Sequence, residues 1–330
     1  MTELKVRLAS LDAFRGFDIL VMVFVNYLAG MSGIPFFLQH APAGMDAFTL
    51  TDVLFPGFLF IVGVAIPLSL EKRIDHGEPL AKVLGRILVR TAGLLFLGVI
   101  MVNQDRFSAA ETGISREAWY FLAYAAAVVL WASYPGTQNR ARRNLFLGMR
   151  IGAAAVLLFL VVVFRGVDGG TVSWLRHSWW GILGMIGWTY LAASLVYLVT
   201  KGNPAALMGS LGLMIALSIG ARHGLLAFLR PINEFVNIGS LFGSHTAIVT
   251  AGMLVGSMFV KGRAGMGHAG RSVSIGLFGA GLLASGFLLR PIHGFSKIAG
   301  TKSFALATSG ICGLLFLAFY VLMDMFKVRQ

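Results

Sequence analysis

The sequence predicts an all-α protein, a polytopic transmembrane helical bundle of about ten spans, and two observations carry this prediction. Of the 330 residues, 57% are hydrophobic and 12% are charged, whereas a soluble globular chain carries roughly 25% charged residues. Apolar runs of about 17–25 residues recur along the chain, each long enough to cross a hydrocarbon core of roughly 30 Å. Since no polar block is large enough for a soluble domain, residues 1–330 are interpreted as one integral-membrane domain.

The apolar runs define ten predicted spans. They cover residues 16–33, 51–70, 84–102, 117–134, 147–165, 179–199, 205–221, 244–260, 273–290 and 303–326. An even number of spans places both termini on the same side. The polar start, followed by a long first span, does not resemble a cleaved signal peptide.

Positive charge in the loops predicts the orientation. The side shared with the N-terminus holds Lys5, Arg7, Arg15, Lys72, Arg73, Lys82, Arg86, Arg90, Arg140, Arg142, Arg143, Arg150, Lys201, Lys261, Arg263, Arg271, Lys327 and Arg329. The opposite side has about half as many, and the loop at 32–50 has none. The positive-inside rule therefore places both termini in the cytoplasm. Topology explains the net charge of +13 better than nucleic-acid binding does.

Familiar catalytic and metal motifs are missing from the sequence. Cys312 is the only cysteine and lies in an apolar run, which excludes a disulfide framework and a thiol–metal site. The chain has no phosphate-binding P-loop, no dinucleotide fingerprint, no zinc-binding His/Glu pair and no nucleophile elbow. The chemistry must therefore come from scattered polar residues.

The first two spans and the loop between them hold three such residues. Asn26 lies in the first span, His40 in the cation-free loop and Asp52 at the start of the second span. Polar groups at membrane depth are costly, so a functional interpretation is the default. One interpretation is that His40 acts as a base or a nucleophile, because the ordinary pKa of an imidazole is near neutrality. The alternative is an ordinary interfacial loop histidine.

Asp52 has a structural and a functional interpretation, and the two are compatible. Thr51 or Asp52 can cap the second span, because such side chains accept hydrogen bonds from unpaired backbone N–H groups. A capping carboxylate that faces the loop can also orient the His40 imidazole, as the third member of a catalytic triad does. Asp46 is a weaker candidate for the same task.

The first span carries two further candidates. Asn26 lies eleven residues beyond Arg15, or about 16 Å along a helix. It is interpreted either as a donor to a carbonyl or oxyanion, or as an interhelical hydrogen-bonding residue. Arg15 either pairs with Asp18 or binds the phosphates of a ligand at the cytoplasmic end.

The outer ends of the later spans hold further polar residues. Lys297 is either functional or an interfacial lysine that extends towards water. The motif Leu-Arg-Pro-Ile occurs twice, around Arg230 and around Arg290. It is interpreted either as two helix ends or as a pair of arginines that face an anionic or sugar-like ligand. The predicted topology also places His177, His223, His245 and His293 at the outer face and His76 and His268 inside, although loops hold polar residues in any case.

The quoted segments resemble a known family. LDAFRGFDILVMVFVNY, the following His-Ala-Pro and LTDVLFPGFLFIVGVAIPLS are similar to the opening of the transmembrane acyltransferases related to heparan-α-glucosaminide N-acetyltransferase, in particular a bacterial branch of glucosamine acyltransferases. WWGILGMIGWTYLAASLVYL and PIHGFSKIAGTKSFALATSGICGLLFLAFYVLMD also fit that pattern. The resemblance covers both ends of the chain and one central helix.

The resemblance implies acetyl transfer across a membrane. The co-substrate is acetyl-CoA from the cytoplasm, without a metal, and the acceptor is an amino sugar or envelope glycan on the outer side. By this resemblance His40, Asp52 and Asn26 are catalytic, while Arg15, Asn26 and Lys297 bind the cofactor. Expected partners are the lipid bilayer, both reactants and a second copy of the chain in a homodimer, and the expected location is the bacterial inner membrane.

Two other functions stay open on the sequence alone. A multi-pass transporter or exporter would use the polar hairpin as a binding site for a sugar or related small molecule. The two halves of the chain show no inverted repeat, which argues against a transporter without excluding it. A non-catalytic scaffold that kept the fold is the third alternative.

Overall fold

The computed structural model describes residues 8–179, 181–260 and 266–328, and this part of the chain is predominantly helical. Its α-helices are α1 (Ala9–Leu28), α2 (Leu50–Asp75), α3 (Leu80–Val102), α4 (Ala109–Thr112), α5 (Arg116–Trp131), α6 (Arg140–Val163), α7 (Ile182–Thr200), α8 (Pro204–Arg222), α9 (Arg230–Phe235), α10 (Thr246–Ser257), α11 (His268–His293) and α12 (Lys302–Tyr320). Short 3₁₀ turns cover Phe36–Leu38, Gln104–Arg106 and Ala227–Leu229, and π-helical turns cover Ile238–His245 and Val321–Met325.

Each of the ten predicted spans overlaps one of these helices, and the described residues include eight helices that are long and apolar enough to cross a membrane. The two others are α1, which carries three charged residues, and α5, which has 16 residues. The predicted span at 179–199 includes Trp180, which lies outside the described residues, as do Lys5, Arg7, Lys261, Arg263 and Arg329 among the orienting charges. The chain is an integral membrane protein with an all-α membrane region.

The chain divides into two compact units, residues 1–88 with 188–330 and residues 89–187. In the first unit, α2 and α10 form the centre and approach each other closely. A Cβ added at Gly63 would overlap the Val249 carbonyl, and one added at Gly252 would overlap the Phe60 carbonyl. Small residues allow such close packing of helices in lipid, where apolar burial alone drives little association.

The ends of the first unit are also fixed by specific contacts. At Gly286 in α11, an added Cβ would overlap Ala307 in α12, so these helices pack closely as well. The Asp324 carboxylate accepts hydrogen bonds from the backbone N–H groups of Ala9 and Ser10, at 3.1 and 3.0 Å. It thereby caps the start of α1, and places the start of α1 beside the turn that follows α12.

The second unit has its own core around a fully buried tryptophan. Trp119 of α5 donates from Nε1 to the Leu160 carbonyl of α6 at 3.0 Å and packs against Phe164. After α6, strands β1 (Gly166–Asp168) and β2 (Thr171–Ser173) form an antiparallel hairpin. The all-α prediction missed this hairpin, although Gly169 and Gly170, both with positive φ, are typical of a tight two-residue turn.

Several helices expose large apolar side chains, as a bilayer requires. On α1 the exposed residues include Leu20, Val23 and Tyr27. A water-soluble monomer rarely exposes apolar surface of this extent in one patch. We therefore interpret this face of α1 as a lipid-facing surface of the first unit.

Candidate active site

The loop between α1 and α2 folds back onto the start of α2. Pro35 begins a 3₁₀ turn at Phe36–Leu38, and the Gln39 side-chain amide donates to the Ile34 carbonyl at 2.5 Å. The Thr49 hydroxyl donates to the Gln39 carbonyl at 2.6 Å. These contacts fix the backbone on the N-terminal side of His40, so the histidine does not extend freely into solvent.

Asp52 caps α2 as expected, but from a different position in the cap. The N-cap residue is Thr49, and Asp52 occupies the third helical position of a capping box. The Thr49 N–H donates to Asp52 Oδ2 at 3.1 Å, and the Thr49 hydroxyl oxygen, whose proton goes to the Gln39 carbonyl, lies 3.2 Å from the same carboxylate oxygen. The expectation that Thr51 or Asp52 caps the second span is confirmed for Asp52, while Thr49 is the N-cap residue and the helix begins at Leu50.

The same carboxylate holds the His40 loop. Asp52 Oδ1 lies 2.7 Å from His40 Nδ1, and Oδ2 accepts a further hydrogen bond from the Ala41 N–H at 3.1 Å. The Asp52 side chain is 1% exposed and that of His40 is 56% exposed. A buried carboxylate thus orients an accessible imidazole, and the contact expected from the sequence is present.

Lys297 joins this pair from the loop between α11 and α12. Its Nζ lies 3.1 Å from His40 Nδ1, 3.4 Å from Nε2 and 3.7 Å from Asp52 Oδ1. Burial lowers the pKa of the Lys297 ammonium from its ordinary value, and the Asp52 carboxylate acts in the opposite direction. Asp52, His40 and Lys297 therefore form one charged cluster, which we call the His40 cluster.

The His40 cluster has the elements of acid–base or nucleophilic catalysis. A carboxylate only accepts hydrogen bonds, so the 2.7 Å contact assigns the proton of a neutral imidazole to Nδ1. The lone pair of Nε2 then faces outward as a base or a nucleophile. The Lys297 ammonium supplies a positive charge within a few ångströms of the position where a reacting carbonyl would lie.

A second carboxylate locks the two loops of the His40 cluster together. Asp46 accepts from Arg290 Nε at 3.0 Å and from the Phe295 N–H at 2.5 Å. These two hydrogen bonds lower the pKa of the Asp46 carboxyl. Asp46 therefore does not orient His40, and Arg290 faces a carboxylate of the protein instead of a ligand.

Aromatic packing supports the same junction. The Phe48 ring contacts the rings of Phe295 and Phe304 edge-on, with centroid distances of 5.0 and 5.8 Å. Phe295 and Phe304 are buried. The loops that carry His40 and Lys297 thus share a small apolar core, a contribution that the sequence pattern alone did not reveal.

The structure does not bring Asn26 and Arg15 into the His40 cluster. Asn26 lies in the last turn of α1 with an exposed side chain, which forms no hydrogen bond to another described residue. Arg15 lies 3.4 Å from Asp12, so the predicted pair with Asp18 is wrong. Asp18 is instead buried and faces Gly57 of α2.

The remaining outer candidates have local partners. Arg230 pairs with Glu234 at 2.9 Å, one helical turn away in α9. His245 lies in a π-helical turn, where it is buried against Phe55 and contacts the Ser240 hydroxyl at 3.1 Å. Pro231 opens α9 and Pro291 lies in the last turn of α11, so only the second copy of Leu-Arg-Pro-Ile ends a long helix.

Comparison with known proteins identifies the family. Residues 7–227 match the family model described as "Domain of unknown function (DUF5009)", which spans more than half of the chain. The chain belongs to this family. The DUF5009 match includes His40 and Asp52 and ends before Lys297.

Two curated relatives confirm the resemblance seen in the sequence. The chain is 37% identical over 105 residues to heparan-alpha-glucosaminide N-acetyltransferase of Homo sapiens, which is 32% of this chain and 15% of the human protein. It is 38% identical over 99 residues to the Mus musculus protein of the same name, which is 30% of this chain and 14% of the relative. The chain thus matches about one seventh of the length of these relatives.

A metal site finds no support in the described part of the chain. Among residues 8–179, 181–260 and 266–328, no group of three or more His, Cys, Asp and Glu side chains is arranged to hold a metal ion. The His40 cluster itself contains one imidazole, one carboxylate and one ammonium.

Proposed function

We propose that this protein is a membrane-bound acyltransferase that moves an acetyl group from acetyl-CoA to the amine of an amino sugar or envelope glycan. The relatives' names and the DUF5009 match support the reaction class. The observation that carries the proposal is the 2.7 Å contact between the buried Asp52 carboxylate and the accessible His40 imidazole. A transporter needs a binding site, but it does not need a base with a fixed tautomer.

In the direct version of the reaction, His40 acts as a general base. The acceptor amine attacks the thioester carbonyl, Nε2 of His40 takes the amine proton, and a tetrahedral oxyanion forms beside the Lys297 ammonium. Collapse of this intermediate breaks the C–S bond. The imidazolium returns its proton to the departing thiolate, which leaves as CoA, while the Asp52 carboxylate stabilises the imidazolium throughout.

In the double-displacement version, His40 Nε2 attacks the thioester carbonyl itself. The C–S bond breaks, CoA leaves and the acetyl group resides on the imidazole. The neutral acceptor amine then attacks that carbonyl, and the bond between the carbonyl carbon and Nε2 breaks, which regenerates the neutral His40. The amine releases one proton to water, and this balances the proton that the departed CoA thiolate takes up. This version suits a transfer in which the donor and the acceptor approach from opposite sides of the membrane, because they need not be bound together.

The remaining roles follow the same proposal. Acetyl-CoA arrives from the cytoplasm and the acceptor binds on the outer side of a bacterial inner membrane. Arg15 binds phosphate groups of the donor at the end of α1 remote from His40, and Asn26, which lies outside the His40 cluster, binds another part of the donor. The exposed side chain of Asn26 and the partly exposed guanidinium of Arg15 are available for such contacts. A homodimer of the chain is part of this proposal.

Labelled acetyl-CoA and glucosamine test the proposal with purified protein in detergent or liposomes. We expect transfer by the wild type and a loss of roughly 10²- to 10⁴-fold in His40→Ala, the usual contribution of a catalytic base. Thermal unfolding of His40→Ala should match that of the wild type. His177→Ala, which removes a histidine from the second unit, serves as the matched control.

The outcomes separate the alternatives. Absence of transfer by folded wild-type protein, or equal transfer by His40→Ala, would overturn the proposal. Counterflow of unmodified glucosamine that is insensitive to His40→Ala would identify a transporter instead. Acid quenching followed by peptide mass analysis distinguishes the two versions, because only double displacement leaves an acetyl group on the peptide that contains His40.

A further inference from the structure

A group of cationic side chains gathers where three helix ends of the first unit meet. Arg222 and His223 lie at the C-terminal end of α8, His293 ends α11 and Lys302 begins α12. None of them belongs to the His40 cluster. We call these four residues the Lys302 group.

Hydrogen bonds hold α8 against the loop that precedes Lys302. The Ser218 hydroxyl of α8, about one turn before Arg222, lies 2.8 Å from the Ser244 hydroxyl. Ser244 Oγ donates to the Gly300 carbonyl at 2.5 Å. This chain of contacts is buried and fixes the end of α8 near the start of α12.

The end of α11 is held at the same place. The Ser303 hydroxyl, directly after Lys302, donates to the Gly294 carbonyl directly after His293. The positive charges of Arg222 and Lys302 repel each other. The charges of Lys302, Arg222 and His223 in turn disfavour a positive charge on His293. The Lys302 group is thus a genuine convergence of positive charge from three helices.

Lys302 is the unusual member, because its side chain is buried without a counter-ion. The residue is 1% exposed, and its ammonium forms no ion pair or hydrogen bond with any other described residue. A buried charge is stable only when it is paired, since transfer from water to the protein interior is costly. The partner that Lys302 requires must come from elsewhere.

Among the residues that the structure describes, no acidic side chain pairs with Lys302. Between Asp168 and Asp324 the sequence contains a single acidic residue, Glu234, and Glu234 is engaged by Arg230. Asp46 and Asp52, from the neighbouring loop, are held by Arg290 and His40. The missing negative charge is therefore expected from a ligand.

We propose that the Lys302 group binds the oxyanion of a ligand, a sulfate, phosphate or carboxylate, beside the His40 cluster. Lys302 is the buried member of the group, His293 is partly buried, and Arg222 and His223 are exposed. The N-terminal end of α12, whose N-cap Thr301 makes no side-chain capping bond, adds favourable partial charge. Lys302 follows Lys297 by five residues and begins the helix after the loop that carries Lys297.

Thermal unfolding of the purified protein tests the site without any transfer assay. At constant ionic strength, replacing chloride with sulfate or phosphate should raise the unfolding midpoint of the wild type. Lys302→Met keeps an unbranched side chain, one atom shorter, and removes the charge, so the apparent anion affinity should fall about 10- to 100-fold. Without oxyanion, Lys302→Met should be at least as stable as the wild type, because the unpaired buried charge is gone.

Matched variants separate this site from the His40 cluster. Lys297→Met and His40→Ala should keep the anion-dependent shift, and the exposed variant Arg222→Gln should weaken it even if Lys302→Met does not fold. A wild type that responds equally to chloride and sulfate would overturn the proposal. So would an undiminished shift in both Lys302→Met and Arg222→Gln.

The identity of the ligand as a reactant rests on the proposed function and is tested by paired compounds. A larger shift with CoA than with pantetheine, which lacks the phosphates, assigns the site to the donor. A larger shift with glucosamine 6-sulfate than with glucosamine assigns it to the acceptor. A shift with inorganic sulfate alone supports the anion site and overturns its assignment to a reactant, whether or not acetyl transfer is observed.

Discussion

Asp52→Asn gives the sharpest test of the His40 cluster, because the two carboxylate oxygens have separate tasks. Oδ2 accepts two hydrogen bonds, from the Ala41 N–H and the Thr49 N–H. Oδ1 faces His40 Nδ1 and Lys297. An asparagine with its carbonyl oxygen in the Oδ2 position keeps the cap and places an amide N–H₂ against the imidazole.

The expected loss of turnover follows from the replacement of Asp52 Oδ1 by an amide N–H₂ group. The amide donates to Nδ1, which moves the imidazole proton to Nε2 and removes the outward lone pair. A hydrogen bond to a charged group contributes about 1.5–3 kcal/mol, and each 1.36 kcal/mol is a factor of ten in rate. We therefore expect the turnover of Asp52→Asn to fall roughly 10- to 150-fold, with a free energy of unfolding within about 1 kcal/mol of the wild type.

Asp52→Ala is the comparison that makes the test decisive. It removes the helix cap, at about 1 kcal/mol, and leaves the buried Thr49 N–H without an acceptor, at about 1–3 kcal/mol. We expect it to be destabilised by roughly 2–4 kcal/mol. Acetyl transfer and thermal unfolding are measured on both variants. Full activity in Asp52→Asn would refute the orienting role, and equal destabilisation of the two variants would refute the division of tasks between the oxygens.

Three further predictions concern neighbouring features. Lys297→Met should lower turnover about 10²-fold, as loss of one oxyanion donor does; an unchanged turnover with a raised KM would instead indicate a binding role. Asp46→Asn should lower the unfolding midpoint at neutral pH. Because the fold lowers the pKa of Asp46, its stabilisation is fully present above the ordinary pKa near 4 and is lost as the pH falls through the folded pKa, so the difference between the two midpoints should shrink as the pH falls below the ordinary pKa. A difference that does not depend on pH would contradict this assignment. Gly63→Ala should destabilise the first unit by roughly 1–3 kcal/mol through overlap with the Val249 carbonyl. Gly85→Ala, in a helix with open space around it, should stabilise by up to about 1 kcal/mol, and loss of stability in both alanine variants would refute the packing argument.

Local patterns in the sequence predicted the helices and part of the His40 cluster. The bilayer thickness sets the length of the apolar runs, and each predicted span therefore overlaps an observed helix. The Asp52–His40 contact was predictable because both residues lie close to the first residue of α2 and only twelve positions separate them. A polar side chain near the start of a helix has few possible partners besides the first backbone N–H groups and the preceding loop.

Contacts between distant segments were not predictable in the same way. Lys297 lies 257 positions from His40, and the Asp46–Phe295 hydrogen bond spans 249 positions. Arg15 shows the limit even within one helix, because Asp12 and Asp18 are both about one turn away and tertiary burial of Asp18 against Gly57 decides the choice. The turn at Gly169 and Gly170 was overlooked because apolar content dominated the assignment.

The loop that carries Lys297 follows the loop that carries His40 by more than 250 positions along the chain, and this separation has a consequence for biosynthesis. During translation α1 and α2 enter the bilayer long before the segment that contains Phe295 and Lys297 leaves the ribosome. Until then, Asp46 lacks the hydrogen bonds that it accepts from Arg290 and Phe295. A chain that terminates upstream of that segment is expected to insert into the membrane without Lys297 and therefore without a complete His40 cluster. Conversely, a separately expressed C-terminal fragment that supplies α11, α12 and their connection is expected to restore function when it meets the truncated partner in the same membrane.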